Sequence, residues 1–269
     1  MKWVRVEHKG LPRFGILQND AIVLTSLTWS EVLEGRSPDS LATVDPQKVR
    51  NLAPLERPGK IIAIGLNYMD HCRETNSDPP SKPLIFCKLS TSLLGPGEEI
   101  SWSRSLTDQV DYEAELAVVV GHSAREVSRQ EALQHVFGYT VGNDVSARDL
   151  QFSDGQWIRG KSLDTFCPLG PVLVTADEIP TPQNLGIRTY LNGEIMQESN
   201  TREMIFPVAE LISFCSQAFT LEPGDVIMTG TPHGVGVGRD PQVFMNDGDQ
   251  IVIEVDGICR LENTCRTRD

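Results

Sequence analysis

Two glutamates stand one residue apart in an otherwise apolar run, at Glu113 and Glu115, and an aspartate follows farther along at Asp144. Positions i and i+2 of a strand point the same way, so the two glutamates would share one side. Carboxylates that close repel one another, and a magnesium-like ion removes the conflict because it prefers oxygen ligands. The three residues are therefore candidate ligands of a hard dication. The alternative is a solvated strand face, since an exposed glutamate is the normal case.

A histidine and a glutamate three residues apart form a second candidate group. The apolar stretch 60–65 is typical of a strand, and the residues after it indicate a short helical turn. On such a turn His71 and Glu74 share a face and can form a hydrogen bond. A histidine held by a carboxylate activates water or moves a proton near neutral pH. The alternative is a surface histidine beside an unrelated glutamate.

Three cationic side chains could recognise an acidic substrate. The formal net charge is −13, so an anionic substrate would need local cations, and Lys88, Arg148 and Lys161 are the candidates. Surface salt bridges are the alternative for Arg148 and Lys161. A structural role is the alternative for Lys88.

The glycine-dense segment 230–238 does not indicate a nucleotide site. A dinucleotide-binding fingerprint lies between a strand and a helix and is followed by an acidic residue for the ribose. Here no amphipathic helix follows the glycines. Tight turning, or close approach of the backbone to a small ligand, accounts for them better.

Five motifs occur in a fixed order along the chain. They are Asn67-Tyr-x-x-His71-x-x-Glu74, Tyr112-Glu113-x-Glu115-Leu, Asn143-Asp144-Val-Ser-Ala-Arg-Asp-x-Gln151, Gly160-Lys161-x-x-Asp-Thr-Phe-x-Pro-x-Gly-Pro171 and Gly224-Asp-x-Ile-x-Thr-Gly-Thr-Pro232. Together they resemble the fumarylacetoacetate hydrolase (FAH) superfamily, especially the group that includes fumarylacetoacetate hydrolase domain-containing protein 2 and bacterial relatives. The resemblance covers roughly residues 58 to 269.

The resemblance implies a role for each candidate residue. It implies that Glu113, Glu115 and Asp144 hold Mg²⁺, for which Mn²⁺ or Ca²⁺ could substitute. The implied catalytic residues are His71, oriented by Glu74, and Lys161, which would face a substrate oxygen. The implied substrate-binding residues are Gln151, Thr231, Arg148 and Lys88. For Arg148, holding the site in shape stays open beside anion binding.

The implied substrate is a small anionic 2-oxo or 1,3-diketo acid that reacts through a metal-stabilised enolate. Hydrolysis of a C–C bond in an acylpyruvate-like substrate is the first hypothesis. Keto–enol tautomerisation or decarboxylation of oxaloacetate is the second, and double-bond isomerisation of a 2-hydroxydienedioate is the third. A family member that binds a metabolite or partner without turnover is the hypothesis from a different class. The intact candidate residues count against it.

Composition excludes several other classes of protein. The acidic balance and the absence of a basic stripe argue against a nucleic-acid partner. No stretch is long and apolar enough to be a membrane span or a secretion signal, and no organellar targeting segment is evident. The six cysteines show no Cys-x-x-Cys spacing, which is typical of reduced thiols. We expect a soluble, cytoplasmic enzyme.

The chain divides at a proline-punctuated linker into residues 1–57, a small N-terminal β-rich domain, and 58–269, the catalytic domain. Asn192-Gly193 and Asp256-Gly257 predict two hairpins. Helices are predicted over Ser128–His135 and Pro207–Ala218. Sequence patterning predicts a β-rich α+β fold, and the resemblance specifies it as a mixed β-sandwich roll of the FAH C-terminal-domain type, assembled as a homodimer.

Overall fold

Strands make up most of the regular structure, as the alternating apolar pattern predicts. A computed structural model describes residues 1–269. The strands are β1 (Lys2–His8), β2 (Leu11–Gln18), β3 (Ala21–Leu24), β4 (Ala42–Val44), β5 (Arg50–Leu52), β6 (Ile61–Gly65), β7 (Leu84–Lys88), β8 (Leu93–Leu94), β9 (Glu99–Ser103), β10 (Val110–Asp111), β11 (Ala114–Val120), β12 (Val136–Asn143), β13 (Ser146–Ala147), β14 (Cys167–Pro168), β15 (Val172–Thr175), β16 (Gly186–Leu191), β17 (Glu194–Asn200), β18 (Val226–Met228), β19 (Gln250–Val255) and β20 (Cys259–Arg268). The α-helices are α1 (Trp29–Leu33), α2 (Met69–Glu74), α3 (Arg148–Ser153), α4 (Ile158–Lys161) and α5 (Val208–Ala218).

One mixed sheet of eleven strands runs through the molecule. Its order is β4-β3-β2-β1-β15-β12-β11-β18-β6-β7, and β5 also pairs with β1. β1 lies antiparallel to β15, with Lys2 opposite Val174 and Val4 opposite Val172. The N-terminal strands therefore extend the same sheet that carries β11 and β12. The predicted domain boundary falls between β5 and β6, in a stretch without regular structure.

A second sheet, β17-β16-β19-β20-β9, packs on one face of the first. Val118 of β11 lies in one buried cluster with Ile253 and Leu261 of this second sheet. Its neighbour Val119 points to the opposite face and packs in a different cluster with Trp29 of α1. β11 is thus covered on both faces, which explains why its sequence is almost continuously apolar. The predicted fold class, a strand-rich α+β sandwich, is confirmed.

Both predicted hairpins are present. β16 and β17 turn at Asn192 and Gly193, whose φ angles of 52° and 86° are the two positive values that a tight type I′ turn requires. β19 and β20 turn at Asp256-Gly257, where Gly257 has a φ of 77°. Local turn chemistry was sufficient to predict both.

One predicted helix is confirmed and one is wrong. α5 follows Pro207 as expected and buries Leu211 against the core. Over Ser128–His135 the structure has only a 3-10 turn, Ala132–His135, in which a single residue is buried. The Ser128 hydroxyl donates to the Glu131 side chain rather than accepting from a backbone N–H, so the predicted cap does not form. No helix of the structure is long and apolar enough to cross a membrane.

Candidate active site

Three carboxylates converge where β11 begins and β12 ends. Glu113 lies in the break between β10 and β11, Glu115 lies in β11, and Asp144 directly follows β12. The pairing of Ala114 with Asn143 and the hydrogen bond from Asp144 N to Glu113 O (3.0 Å) bring the two segments together. One oxygen from each carboxylate lies within 4.8 Å of the others, and all three residues are buried. The predicted ligand set is therefore assembled in space.

Lys161 joins two of these carboxylates. Its ammonium nitrogen lies 2.7 Å from Glu113 Oε2 and 2.8 Å from Asp144 Oδ2. Burial would lower the pKa of Lys161, but Asp144 and Glu113 outweigh that effect and raise it. The lysine is thus held in its charged form, with the ammonium group at the edge of the carboxylate cluster.

Arg148 joins the cluster to a fourth carboxylate. Its Nη1 lies 2.7 Å from Glu113 Oε1 and donates to Gln151 Oε1 at 2.9 Å, while Nε donates to Asp111 Oδ2 at 2.8 Å. Asp111 also accepts from the backbone N–H groups of Gly236 (2.7 Å) and Val237 (3.0 Å). Arg148, itself held by Gln151, thus keeps Glu113 in position. Of the two roles that the sequence left open for the arginine, this geometry fits holding the site in shape.

Lys88 does not point at a substrate position. Its ammonium group donates to Asp144 Oδ1 (2.5 Å), to the carbonyl oxygen of Val145 (3.2 Å) and to that of Lys161. These three acceptors use all three N–H groups of the lysine. The prediction that Lys88 binds a distal carboxylate does not fit this geometry, and the structural alternative does.

Charge in this cluster is not balanced. Three cations, Lys88, Arg148 and Lys161, face four carboxylates, and the ion pairs leave Glu115 without a cation. Its one hydrogen bond comes from Gly230 N at 2.8 Å. Burial, together with the negative charges of Asp144 and Glu113, raises the pKa of Glu115 well above its usual range.

Glu113 behaves in the opposite way. Burial would raise its pKa, but Lys161 and Arg148 lower it to about 2. Neighbouring glutamates are therefore held in contrasting electrostatic environments. The cause is the position of the cations, which all contact Glu113 or Asp144.

His71 and Glu74 form the predicted pair on α2. His71 Nδ1 and Glu74 Oε2 are 3.0 Å apart, and both side chains are mostly buried. The other oxygen of Glu74 accepts from Gly234 N at 2.7 Å. Burial would raise the pKa of Glu74, but His71 and the Gly234 N–H outweigh it and lower the pKa. The glutamate thus fixes the imidazole ring with respect to the glycine-dense loop.

That loop, residues 230–238, contacts three separate acidic side chains. Its backbone N–H groups donate hydrogen bonds to Glu115, Glu74 and Asp111.

Thr231 of the same loop is positioned by Gln197, whose amide nitrogen donates to the threonine hydroxyl at 2.8 Å. The glycines allow close approach of the backbone, since a Cβ on Gly236 would lie 1.8 Å from the Val243 carbonyl oxygen.

A small cavity of about 50 Å³ opens beside this cluster. Four of the predicted site residues line it, His71, Glu113, Lys161 and Thr231, whereas Glu74, Glu115, Asp144, Lys88, Arg148 and Gln151 do not. Larger depressions lie elsewhere on the surface and contain none of the three clustered carboxylates. The lining residues are Ile64, Gly65, Leu66, His71, Phe86, Glu113, Trp157, Lys161 and Thr231.

The residues present fit a divalent cation. Three carboxylates supply hard oxygen donors within reach of one another, and Glu115 lacks a positive partner. The hydroxyl of Tyr68 is buried and has no hydrogen-bond partner. Burial, and after it the negative charge of Glu115, raises the pKa of this tyrosine. An orphaned buried hydroxyl beside an unpaired carboxylate is the pattern expected where a bound group completes the site.

Four residues of the site were missed by sequence reasoning. Tyr68 stands inside a quoted motif and Asp111 directly precedes another, but neither was given a role. Gln197 contacts the site from β17, and Trp157 directly precedes the helix that carries Lys161. The available signal was the acidic residue at 111, two positions before Glu113 and so on the same side of a strand as the candidate ligands.

This strand-rich fold, with its cluster of buried carboxylates beside a cavity lined by His71, Glu113 and Lys161, defines an enzyme. Residues 60–266 match the family described as fumarylacetoacetate (FAA) hydrolase C-terminal, and residues 1–54 match the one described as Rv2993c-like, N-terminal. The chain belongs to the fumarylacetoacetate hydrolase family, which confirms the resemblance seen in its motifs.

Relatives and solved structures agree with this assignment. The chain is 49% identical over 214 residues to "Oxaloacetate tautomerase fahd2, mitochondrial" of Xenopus laevis, covering 79% of this chain and 67% of that protein. The structure of a fumarylacetoacetate hydrolase from Exiguobacterium antarcticum superposes with a TM-score of 0.91 at 39% identity, covering 100% of both chains. The structure of a 2-hydroxyhepta-2,4-diene-1,7-dioate isomerase from Mycobacterium marinum superposes with a TM-score of 0.86 at 34% identity, covering 100% of this chain and 99% of the other.

Proposed function

We propose that this protein is a Mg²⁺-dependent oxaloacetate tautomerase. The observation that carries the proposal is that His71, Glu113 and Lys161 line one cavity of about 50 Å³. This volume suits a small acid and a proton transfer between neighbouring atoms. The names of the curated relatives support oxaloacetate as the acid. The comparisons thus favour the tautomerase alternative over the C–C hydrolysis that the sequence analysis put first.

Glu113, Glu115 and Asp144 would hold the cation, for which Mn²⁺ or Ca²⁺ could substitute. When bound, the ion supplies Lewis acidity that stabilises enolate charge on a 2-oxo acid. His71 takes a proton from C3 of the keto form, and a proton is delivered to the oxygen on C2, so that the keto and enol forms interconvert without loss of atoms. Glu74 keeps the imidazole oriented during this transfer.

The remaining residues act by charge and position. Lys161 stays protonated between Glu113 and Asp144, so its positive charge stands next to the developing oxyanion. Arg148 contacts Glu113 and is itself held by Gln151, so the two residues keep Glu113 in position. Thr231, held by Gln197, offers its hydroxyl to the carboxylate end of the substrate.

A second candidate reaction is double-bond isomerisation of a 2-hydroxydienedioate. The isomerase structure from Mycobacterium marinum matches this chain over its whole length, whereas the tautomerase of Xenopus laevis aligns with 79% of it. Isomerisation uses the same proton transfers on a longer substrate. The assembly is proposed to be a homodimer, and a cytoplasmic location stays a prediction because the names of several curated relatives place them in mitochondria.

The test is a direct assay of three substrates with and without Mg²⁺. Purified protein is mixed with oxaloacetate, with acetylpyruvate and with 2-hydroxyhepta-2,4-diene-1,7-dioate, and the ultraviolet absorbance of each enol or diene is followed. We expect Mg²⁺ to accelerate oxaloacetate tautomerisation and a chelator to abolish the effect. Faster conversion of the dienedioate would select the isomerase, and pyruvate release from acetylpyruvate would select the hydrolase.

A further inference from the structure

The indole ring of Trp157 forms one wall of the cavity beside the carboxylates. A Cβ built on Gly65 would lie 2.5 Å from Trp157 Cζ3 and 3.0 Å from Cη2, so the ring rests directly on the glycine backbone. Phe86 packs against the same indole edge-to-face, with ring centroids 5.3 Å apart and planes at 70°. Gly65 at the end of β6, Phe86 in β7 and Trp157 before α4 therefore meet at one place.

The position of this ring is tied to that of Lys161. Lys161 N donates to the Trp157 carbonyl oxygen at 3.0 Å, which closes one helical turn between them. Gly160 sits tightly on α3, because a Cβ there would lie 2.6 Å from Gln151 N and 2.8 Å from Ala147 O. The lack of a side chain at Gly160 therefore lets this turn pack directly on α3. Trp157 and Lys161 thus lie one helical turn apart on a segment that packs against α3.

The cavity is lined by polar and by apolar residues. The polar ones are His71, Glu113, Lys161 and Thr231. A water needs about 10–15 Å³ of such space, so a volume of about 50 Å³ accepts a few water-sized groups, about the size of a chelating 2-oxo-acid head. Any larger arm attached to that head would have to fit against the apolar lining residues, which are Ile64, Leu66, Phe86 and Trp157.

Trp157 is not needed to fill the interior. It is partly exposed and belongs to none of the three buried apolar clusters that hold the sheets and helices together. A large aromatic side chain kept at a cavity mouth, outside the core, has its effect on what enters the cavity.

We propose that Trp157 is the specificity-determining residue of this site and that it restricts substrates to 2-oxo acids with a short arm at C3. This rests on the proposed function in so far as the substrate is a 2-oxo acid. Oxaloacetate, whose arm is a single carboxylate, satisfies the limit. A phenyl ring in the same position, as in phenylpyruvate, does not.

The test compares Trp157→Ala and Trp157→Phe with the wild-type protein. Exchange of the C3 protons for deuterium is followed by NMR with oxaloacetate and with phenylpyruvate in the presence of Mg²⁺. We expect Trp157→Ala to raise the ratio of kcat/KM for phenylpyruvate to that for oxaloacetate by about tenfold or more, with Trp157→Phe in between. Phe152→Ala is the matched control, since Phe152 is 63% exposed in the same segment, and it should leave the ratio unchanged.

Equal loss of activity toward both acids in Trp157→Ala, with the fold retained, would overturn the proposal, because a structural role lowers both rates alike. So would an unchanged ratio. A separate binding measurement tests the role of Trp157 independently of the proposed function. The affinities of the Mg²⁺-loaded proteins for pyruvate and phenylpyruvate are compared by thermal shift, and Trp157→Ala should gain affinity for phenylpyruvate alone. If the wild-type protein does not act on oxaloacetate but Trp157→Ala gains affinity for phenylpyruvate, the proposed function is wrong and the proposed role of Trp157 is retained.

Discussion

Glu115 differs from its neighbours in having no cation within reach. An ion bound only by the folded protein raises its stability by mass action, about 2.7 kcal/mol at a hundredfold excess over Kd. We therefore expect Mg²⁺ to raise the melting temperature of the wild-type protein and Glu115→Gln to abolish most of the rise. Glu222→Gln, at an exposed glutamate that pairs with Lys60, is the control. A full Mg²⁺ response in Glu115→Gln would exclude this glutamate as a ligand.

His71 contacts Glu74 and the cavity but none of the three clustered carboxylates directly. His71→Ala should lower kcat by about 10²–10⁴-fold, the usual contribution of a positioned general acid or base, and should preserve the Mg²⁺-dependent rise in melting temperature. The measurement is the oxaloacetate assay paired with thermal unfolding. Parallel loss of turnover and metal response would show that the histidine is structural.

Lys88 neutralises Asp144 in a place that water does not reach. Both side chains are fully buried, and without Lys88 the Asp144 carboxylate would keep Lys161 as its one contacting cation. Removal of one partner of a buried ion pair costs about 3–5 kcal/mol when the other charge is left fully unpaired, so that range is the upper limit here. Lys88→Met should lower the free energy of unfolding of the metal-free protein by up to that amount in urea titrations. Lys48→Met, at a lysine that is 81% exposed and 3.7 Å from Asp45, should change it little. Similar small effects for both would show that Lys161 alone is sufficient to compensate the charge of Asp144.

Among the elements, the glycine-dense loop after β18 holds the site together. Gly236 N donates to Asp111, and a Cβ at this residue would overlap the Val243 carbonyl oxygen. Gly236→Ala should therefore destabilise the fold by about 1–3 kcal/mol and displace Asp111 from Arg148. The matched control is Val237→Ala, which keeps its own N–H to Asp111. Equal oxaloacetate activity in the two variants would show that the loop does not position the site.

Elements differ in how far the sequence predicted them. The hairpins at Asn192 and Asp256 and the helix α5 depend on turn residues and local apolar spacing, so the sequence was sufficient. The helix over Ser128–His135 failed because a capping pattern without a buried face does not stabilise a helix. The His71–Glu74 contact was predictable for the same local reason as the hairpins.

At the scale of the whole molecule, the N-terminal strands and the catalytic region share one sheet. β1 covers the edge of β15, and Trp3 packs in the same cluster as Leu173. We expect a single cooperative unfolding transition by calorimetry, although two family descriptions divide the chain. A fragment of residues 58–269 would expose the β15 edge and should melt earlier or aggregate. An unaltered melting temperature in that fragment would contradict this coupling.

The sequence by itself determined the inventory of chemical groups and the class of fold. Three carboxylates, a His–Glu pair and strand-period apolar residues are properties of local spacing, and their order along the chain was enough to indicate the family. Only the tertiary structure decided which charge meets which. It placed Lys88 on Asp144, joined Asp111 to Glu113 through Arg148, and laid Trp157 on Gly65. These contacts join residues far apart in the chain, and sheet pairing and packing, rather than local sequence, bring such residues together.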